Sequence, residues 1–76
     1  MPSEQPAWVL THRQVIGHRI RTAREHRNLS QLQLGTLDGV DHKTVHRIEY
    51  GTSDPRLSVL LQIARALDVS LAELVR

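Results

Sequence analysis

Residues 42–47 read His42-Lys43-Thr44-Val45-His46-Arg47, with four basic or imidazole side chains in six positions and no acid among them. Wound as a helix at about 100° per residue, this stretch turns Val45, Ile48 and Glu49 inward and points Lys43 and Arg47 away from them. His46 and Tyr50 fall on one flank of the outer face, Thr44 on the other, and His42 stands at the start. Lys and Arg so placed can donate to guanine O6 and N7, and a good bidentate contact gives about 1–3 kcal/mol of discrimination between bases. A cationic, acid-free face of this kind suits the major groove of double-stranded DNA.

Other chemistries fit less well. His42 and His46 stand at i, i+4, a spacing that can hold a metal. The chain has no cysteine, however, and only Asp41 is nearby to add a carboxylate, so no metal and no cofactor is expected. Protonation of an imidazole would strengthen its hold on phosphate or guanine. No set of nucleophile, base and orienting group is suggested, so the chain does not read as an enzyme.

Helix start signals show what positions these residues. Thr11-His12-Arg13-Gln14, Ser30-Gln31-Leu32-Gln33 and Ser70-Leu71-Ala72-Glu73 have the pattern of capping boxes. Their flanking pairs Leu10/Val15, Leu29/Leu34 and Val69/Leu74 are placed as hydrophobic staples, and Val40/Val45 flank a further start at Asp41. Asp54-Pro55 reads as an N-cap followed by proline at the first helical position. Asn28, Gly39 and Gly51 supply stops that tolerate the left-handed conformation. These signals predict helices over 12–27, 31–37, 42–50, 55–67 and 71–75, with no strand among them. Ile16, Ile20 and Ala23 share a face of the first helix, and Leu57, Leu60, Leu61, Ala64 and Leu67 form a stripe on the fourth. The second and third helices are too short to stand alone in water, so packing must hold them. The expected organisation is an N-terminal arm over residues 1–10, loose to about Pro6, and a helical domain over 11–76.

Composition supports one small cytoplasmic domain. Seventy-six residues with only Trp8 and Tyr50 as aromatics must build an aliphatic core. No apolar run approaches a membrane span, and Met1-Pro2-Ser3-Glu4 has no secretory pattern. The formal net charge of +2 is unevenly placed. Seven bases and three acids between residues 13 and 47 leave a local +4, while the remaining segments sum to −2. A polyanion facing one side of the molecule is the partner this distribution suits.

Two short helices joined by a Gly-containing turn, here Gln31 to Tyr50, are the arrangement of a helix-turn-helix. The chain also resembles the phage-repressor/Cro-type, or XRE, family of bacterial transcriptional regulators. The resemblance is carried by Ile16-Gly17, Arg19-Ile20-Arg21, Arg24-Glu25, Leu29-Ser30-Gln31 and Leu34-Gly35. It continues through Gly39-Val40, Thr44-Val45, Arg47-Ile48-Glu49, Gly51, Pro55, Leu57, Leu60 and Ile63-Ala64. Ala66-Leu67, Val69, Leu71 and Glu73-Leu74 complete it, covering about residues 14–75 in order. The fold it implies is all-α, a five-helix lambda-repressor-like domain.

The resemblance implies roles. His42, Lys43, Thr44, His46 and Arg47 would contact bases. Ser30 and Gln31 would meet a phosphate at a helix start, with Tyr50, Thr52, Ser53 and Arg56 as further phosphate contacts. Arg24 and Glu49 would form a largely buried salt bridge that positions the recognition helix. Similar proteins bind DNA as twofold dimers, often through the fourth and fifth helices, here around Arg56–Val59 and Leu71–Arg76. A homodimer is therefore expected, and the apolar Trp8-Val9-Leu10 would either cover an open end of the core or join that contact. The family domain ends about where this chain ends, so no effector domain is expected. Asp38, Gly35, Arg56 and Asp68 depart from the family pattern, and none lies on the recognition face.

Overall fold

A computed structural model describes residues 5–76 as five helices, α1 (Ala7–His26), α2 (Gln31–Asp38), α3 (His42–Glu49), α4 (Leu57–Leu67) and α5 (Leu71–Val75). Residues 1–4 of the expected arm lie outside the described residues. The order and type of all five elements follow the sequence signals, and no strand occurs among the described residues.

α1 begins at Ala7 and not at residue 12. The Pro6 carbonyl accepts from the backbone N–H groups of Val9 at 3.0 Å and Leu10 at 3.4 Å, so proline opens the helix. Nothing between Pro6 and Thr11 interrupts winding, and Thr11 sits inside the helix and caps nothing. Trp8, at 71% exposure, does not cover the core, and Leu10 and Val15 are exposed too, so they form no staple.

The Ser30 capping box is complete, with Ser30 Oγ accepting from Gln33 N at 3.0 Å and Gln33 Oε1 accepting from Ser30 N at 2.8 Å. Ser70 Oγ accepts from Glu73 N at 3.3 Å. Asp41 takes the N-cap position of α3 without a side-chain cap bond. The expected cap at Asp54 is not realised. α4 starts at Leu57 after an extended Arg56, and the Asp54 carboxylate instead accepts from Gln5 Nε2 at 3.2 Å. Asn28, Gly39, Gly51 and Asp68 all stand in the left-handed region at the helix ends, with φ of 57°, 72°, 72° and 58°.

The core is aliphatic throughout: Ile20, Leu34, Val45, Ile48, Ile63, Ala64, Leu67 and Leu74. Leu29, Val40 and Val69 pack against it, which places three of the expected staples in the interior. On α4 the buried arc runs through Ile63, Ala64 and Leu67 with Leu60 beside it, while Leu57 and Leu61 face outward. The stripe is thus rotated toward Ile63 relative to the expectation, because one helix face cannot bury positions 57 and 61 together with 63 and 67 against the same neighbours.

Two α1 side chains, and Arg27 at its C-cap, tie down the C-terminal ends of later helices. Arg19 donates to the carbonyls of Leu74, at 3.3 Å, and Arg76. Arg27 donates to Leu67 O at 3.2 Å, and His12 Nε2 lies 3.2 Å from Val75 O. Carbonyls at a helix C-terminus lack intrahelical partners, and cationic donors there also suit the dipole. Much of the local +4 is therefore committed to holding the fold.

Candidate nucleic-acid interface

α3 is amphipathic in the expected sense, with Val45, Ile48 and Glu49 buried and His42, Lys43, His46 and Arg47 exposed. Thr44 is half-buried. Gln31, at the start of α2, lines one shallow open groove together with His42, Lys43, His46 and Arg47. The structure thereby brings the expected phosphate-facing glutamine and four of the five expected base-contacting residues onto a single surface. The face is not wholly free of acid at its edge, because Asp41 Oδ1 lies 3.4 Å from His42 Nδ1.

The groove is held from behind by a buried ion pair. Arg24 Nε donates to Glu49 Oε2 at 2.6 Å and Arg24 Nη2 to Glu49 Oε1 at 3.1 Å, a bidentate pairing between α1 and α3. The hydrogen bond to Glu49 keeps the Arg24 guanidinium above its ordinary pKa against the opposing effect of burial. Two further bonds extend the lock: Arg24 Nη1 donates to Leu29 O at 2.7 Å, and Gln31 Nε2 donates to Glu49 Oε1 at 3.1 Å. Glu49 therefore joins the start of α2 and the end of α3 to α1.

Two glycines set the approach of these helices. A Cβ at Gly17 would stand 2.3 Å from the Ile48 carbonyl and 2.5 Å from that of Glu49, so α1 crosses the last turn of α3 backbone to backbone. A Cβ at Gly35 would stand 2.3 Å from the Val40 carbonyl, which brings the turn after α2 close against it. The space at Gly35 therefore admits no methyl without a shift.

The remaining expected phosphate contacts divide. Tyr50 and Arg56 are exposed at the two ends of the loop between α3 and α4. Thr52 is exposed, but its Oγ1 donates to Arg47 O at 3.2 Å and closes the end of α3. Ser53 departs from the expectation: its hydroxyl is buried without a partner among the described residues, facing a small cavity lined also by Arg13, Ile16, Ile48, Pro55 and Leu60. Residue types alone show neither the Gln31–Glu49 bond nor the Gly17 crossing. The Ile16-Gly17 pair in the resemblance was the one available signal for the latter.

A helix pair with a tight left-handed turn, its second helix exposed along a cationic face and buried along the other, defines the class as a helix-turn-helix domain. The helix-turn-helix family model HTH_3 matches residues 20–74, and the chain belongs to this XRE-type family. An uncharacterized HTH-type transcriptional regulator, y4dL, of Sinorhizobium fredii is 38% identical over 56 residues, 74% of this chain and 29% of that protein. A similar regulator of Haemophilus influenzae is 39% identical over 51 residues, 67% of this chain and 52% of its own length. The chain thus spans about half or less of the curated relatives it matches. Among solved structures, the restriction-modification controller protein C.AhdI of Aeromonas hydrophila superposes with a TM-score of 0.82 at 34% identity, covering 84% of this chain and 97% of that one. The hypothetical transcription factor NHTF from Neisseria gives 0.83 at 28% identity, covering 100% and 86%. No described helix is long and apolar enough to cross a membrane.

Proposed function

We propose that this chain is a DNA-binding transcriptional regulator that reads the major groove through α3 and acts in the cytoplasm as a homodimer, without catalysis, cofactor or small-molecule effector. The observation that carries the reading is the groove shared by Gln31, His42, Lys43, His46 and Arg47 over the buried Arg24–Glu49 pair. Lys43 and Arg47 supply guanine donors, His42, His46 and Thr44 adjust the fit, and Gln31 with Ser30 meets the flanking phosphate at the start of α2. Tyr50, Thr52 and Arg56 border the opposite strand's backbone. A twofold dimer would present two such faces about one helical turn apart. Its contact is assigned to the α4 and α5 side, where Leu57 and Leu61 are exposed.

Selection of bound sequences from random duplex DNA tests the reading directly. An enriched pair of inverted half-sites supports it, and affinity that falls steeply with salt confirms phosphate contact. Binding to no duplex at any salt would leave a protein-interaction module as the better account.

One more specific role has support from a single likeness. The chain covers 97% of the restriction-modification controller C.AhdI at 34% identity. A controller role predicts that the selected half-sites recur upstream of the chain's own reading frame or an adjacent one.

A further inference from the structure

The aromatic ring of Tyr50 joins the recognition helix to α1. The rings of His46 and Tyr50 lie 4.6 Å apart between centroids, tilted by 37°. On the α1 side, the guanidinium carbon of Arg21 lies 5.9 Å from the Tyr50 ring centroid, within the range of a cation–π contact. Gly17 places α1 directly across the last turn of α3, and Arg21 stands one turn further along the same helix. A run of contacts thus leads from the groove lined by Arg47 and His46, over Tyr50, to Arg21.

The other arginines of α1, and Arg27 at its C-cap, are committed elsewhere. Arg24 is locked to Glu49, Arg19 to the carbonyls of Leu74 and Arg76, Arg27 to Leu67 O, and Arg13 donates to Gln5 Oε1 at 3.2 Å. Among the described residues Arg21 pairs only with Glu25, at 3.3 Å, and both side chains are about half exposed. An exposed i, i+4 pair of this kind contributes little and yields readily to a phosphate. The planar guanidinium stacked near a ring is also the form of cation that binds phosphate in a defined direction.

We propose that Arg21 is a phosphate-binding residue contributed by α1, aimed by Tyr50 at the backbone beside the groove that α3 enters. This rests on the DNA-binding reading above and extends its interface from the helix-turn-helix onto the helix behind it. Because a phosphate carries no sequence information, the contact adds affinity to every duplex alike.

The test is binding of the wild-type chain, Arg21→Gln, Arg21→Lys and Glu25→Gln to a mixed-sequence duplex across a salt series. Each phosphate contact contributes about 0.9 to the slope of log affinity against log salt. Arg21→Gln should lower the slope by that amount, so that the variant loses about 3.5-fold less affinity than wild type over a fourfold salt rise. Arg21→Lys should restore the slope, and Glu25→Gln should tighten binding at low salt. Circular dichroism melts should show the Arg21 variants folded as wild type, since the side chain is exposed. An unchanged slope in folded Arg21→Gln overturns this proposal alone. Absence of salt-dependent binding by the wild-type chain overturns the DNA-binding reading with it.

Discussion

Arg24 and Glu49 face each other through two hydrogen bonds of 2.6 and 3.1 Å, with the Glu49 side chain fully buried. Glu49 also accepts from Gln31, so a single carboxylate fixes α1, the start of α2 and the end of α3 relative to one another. Removing it would leave Arg24 as an uncompensated buried charge, which typically costs about 3–5 kcal/mol. Glu49→Ala should therefore show a large drop in urea midpoint and a melting temperature lower by tens of degrees, since 1 kcal/mol shifts a domain of this size by about 4–8 °C. A melt indistinguishable from wild type would mean that the pair does not hold the recognition helix.

Arg47 and Gln31 share one groove but should fail differently. Arg47→Ala removes an outward donor with no fold role in its side chain, so it should relax preference at one base pair by about 1–3 kcal/mol and leave random-sequence affinity less affected. Gln31→Ala should weaken operator and random duplex alike, and should also lower stability modestly through the lost bond to Glu49. Competition binding with single-base variants of the selected site separates the two. Equal losses on operator and random DNA for Arg47→Ala would refute the assignment.

Much of this arrangement was legible in local signals, and its failures share a cause. The capping box at Ser30, the side-chain cap at Ser70, the left-handed stops and the inward phase of Val45, Ile48 and Glu49 each depend on a few neighbouring residues, and each appears in the fold, although at Ser70 only the serine half of the expected box is made. Thr11 misleads because a capping signal acts only where the chain before it is not already helical, and Pro6 starts the helix first. Asp54 misleads because Gln5, distant in sequence, takes its carboxylate. The rotation of the α4 stripe, the Gly17 crossing and the Gln31–Glu49 bond are set by which helix lies opposite, and residue periodicity holds no record of that. Tyr50 and the two α3 histidines were readable as surface residues, but the neighbour that aligns Tyr50, Arg21, is supplied by another helix.

Asp38 ends α2 just before the turn, and its Oδ2 is buried without a hydrogen-bond partner among the described residues. Burial raises its pKa above the ordinary carboxylate value. The folded state then binds this proton more tightly than the unfolded chain. The stabilising contribution is present below the unfolded pKa of about 3.9 and is lost as pH rises through the folded value. At neutral pH the side chain is a liability, and its negative charge also opposes the α2 dipole. Asp38→Ala should gain about 1–3 kcal/mol at pH 7. In urea unfolding that gain should shrink toward pH 4. A gain of equal size at both pH values would show that the carboxylate's charge is not its source.

Gly17→Ala offers the sharpest check on how α1 carries the recognition helix. On helix propensity alone the change should stabilise by about 1 kcal/mol. The added methyl, however, would stand 2.3 Å from the Ile48 carbonyl and 2.5 Å from the Glu49 carbonyl. Both obstacles are backbone, so no side chain can swing aside, and the two helices must separate. Overpacking of this kind costs about 1–3 kcal/mol, enough to outweigh the propensity gain. Separation would also lengthen the Arg24–Glu49 bonds that lie one to two turns further along α1, so DNA affinity should fall along with stability. Thr22→Ala, on the exposed side of the same helix, should leave both within error. If Gly17→Ala proved as stable as wild type and bound DNA equally well, α1 would not be pressed against α3 at this point, and the alignment of the recognition helix would have to come from the ion pair alone.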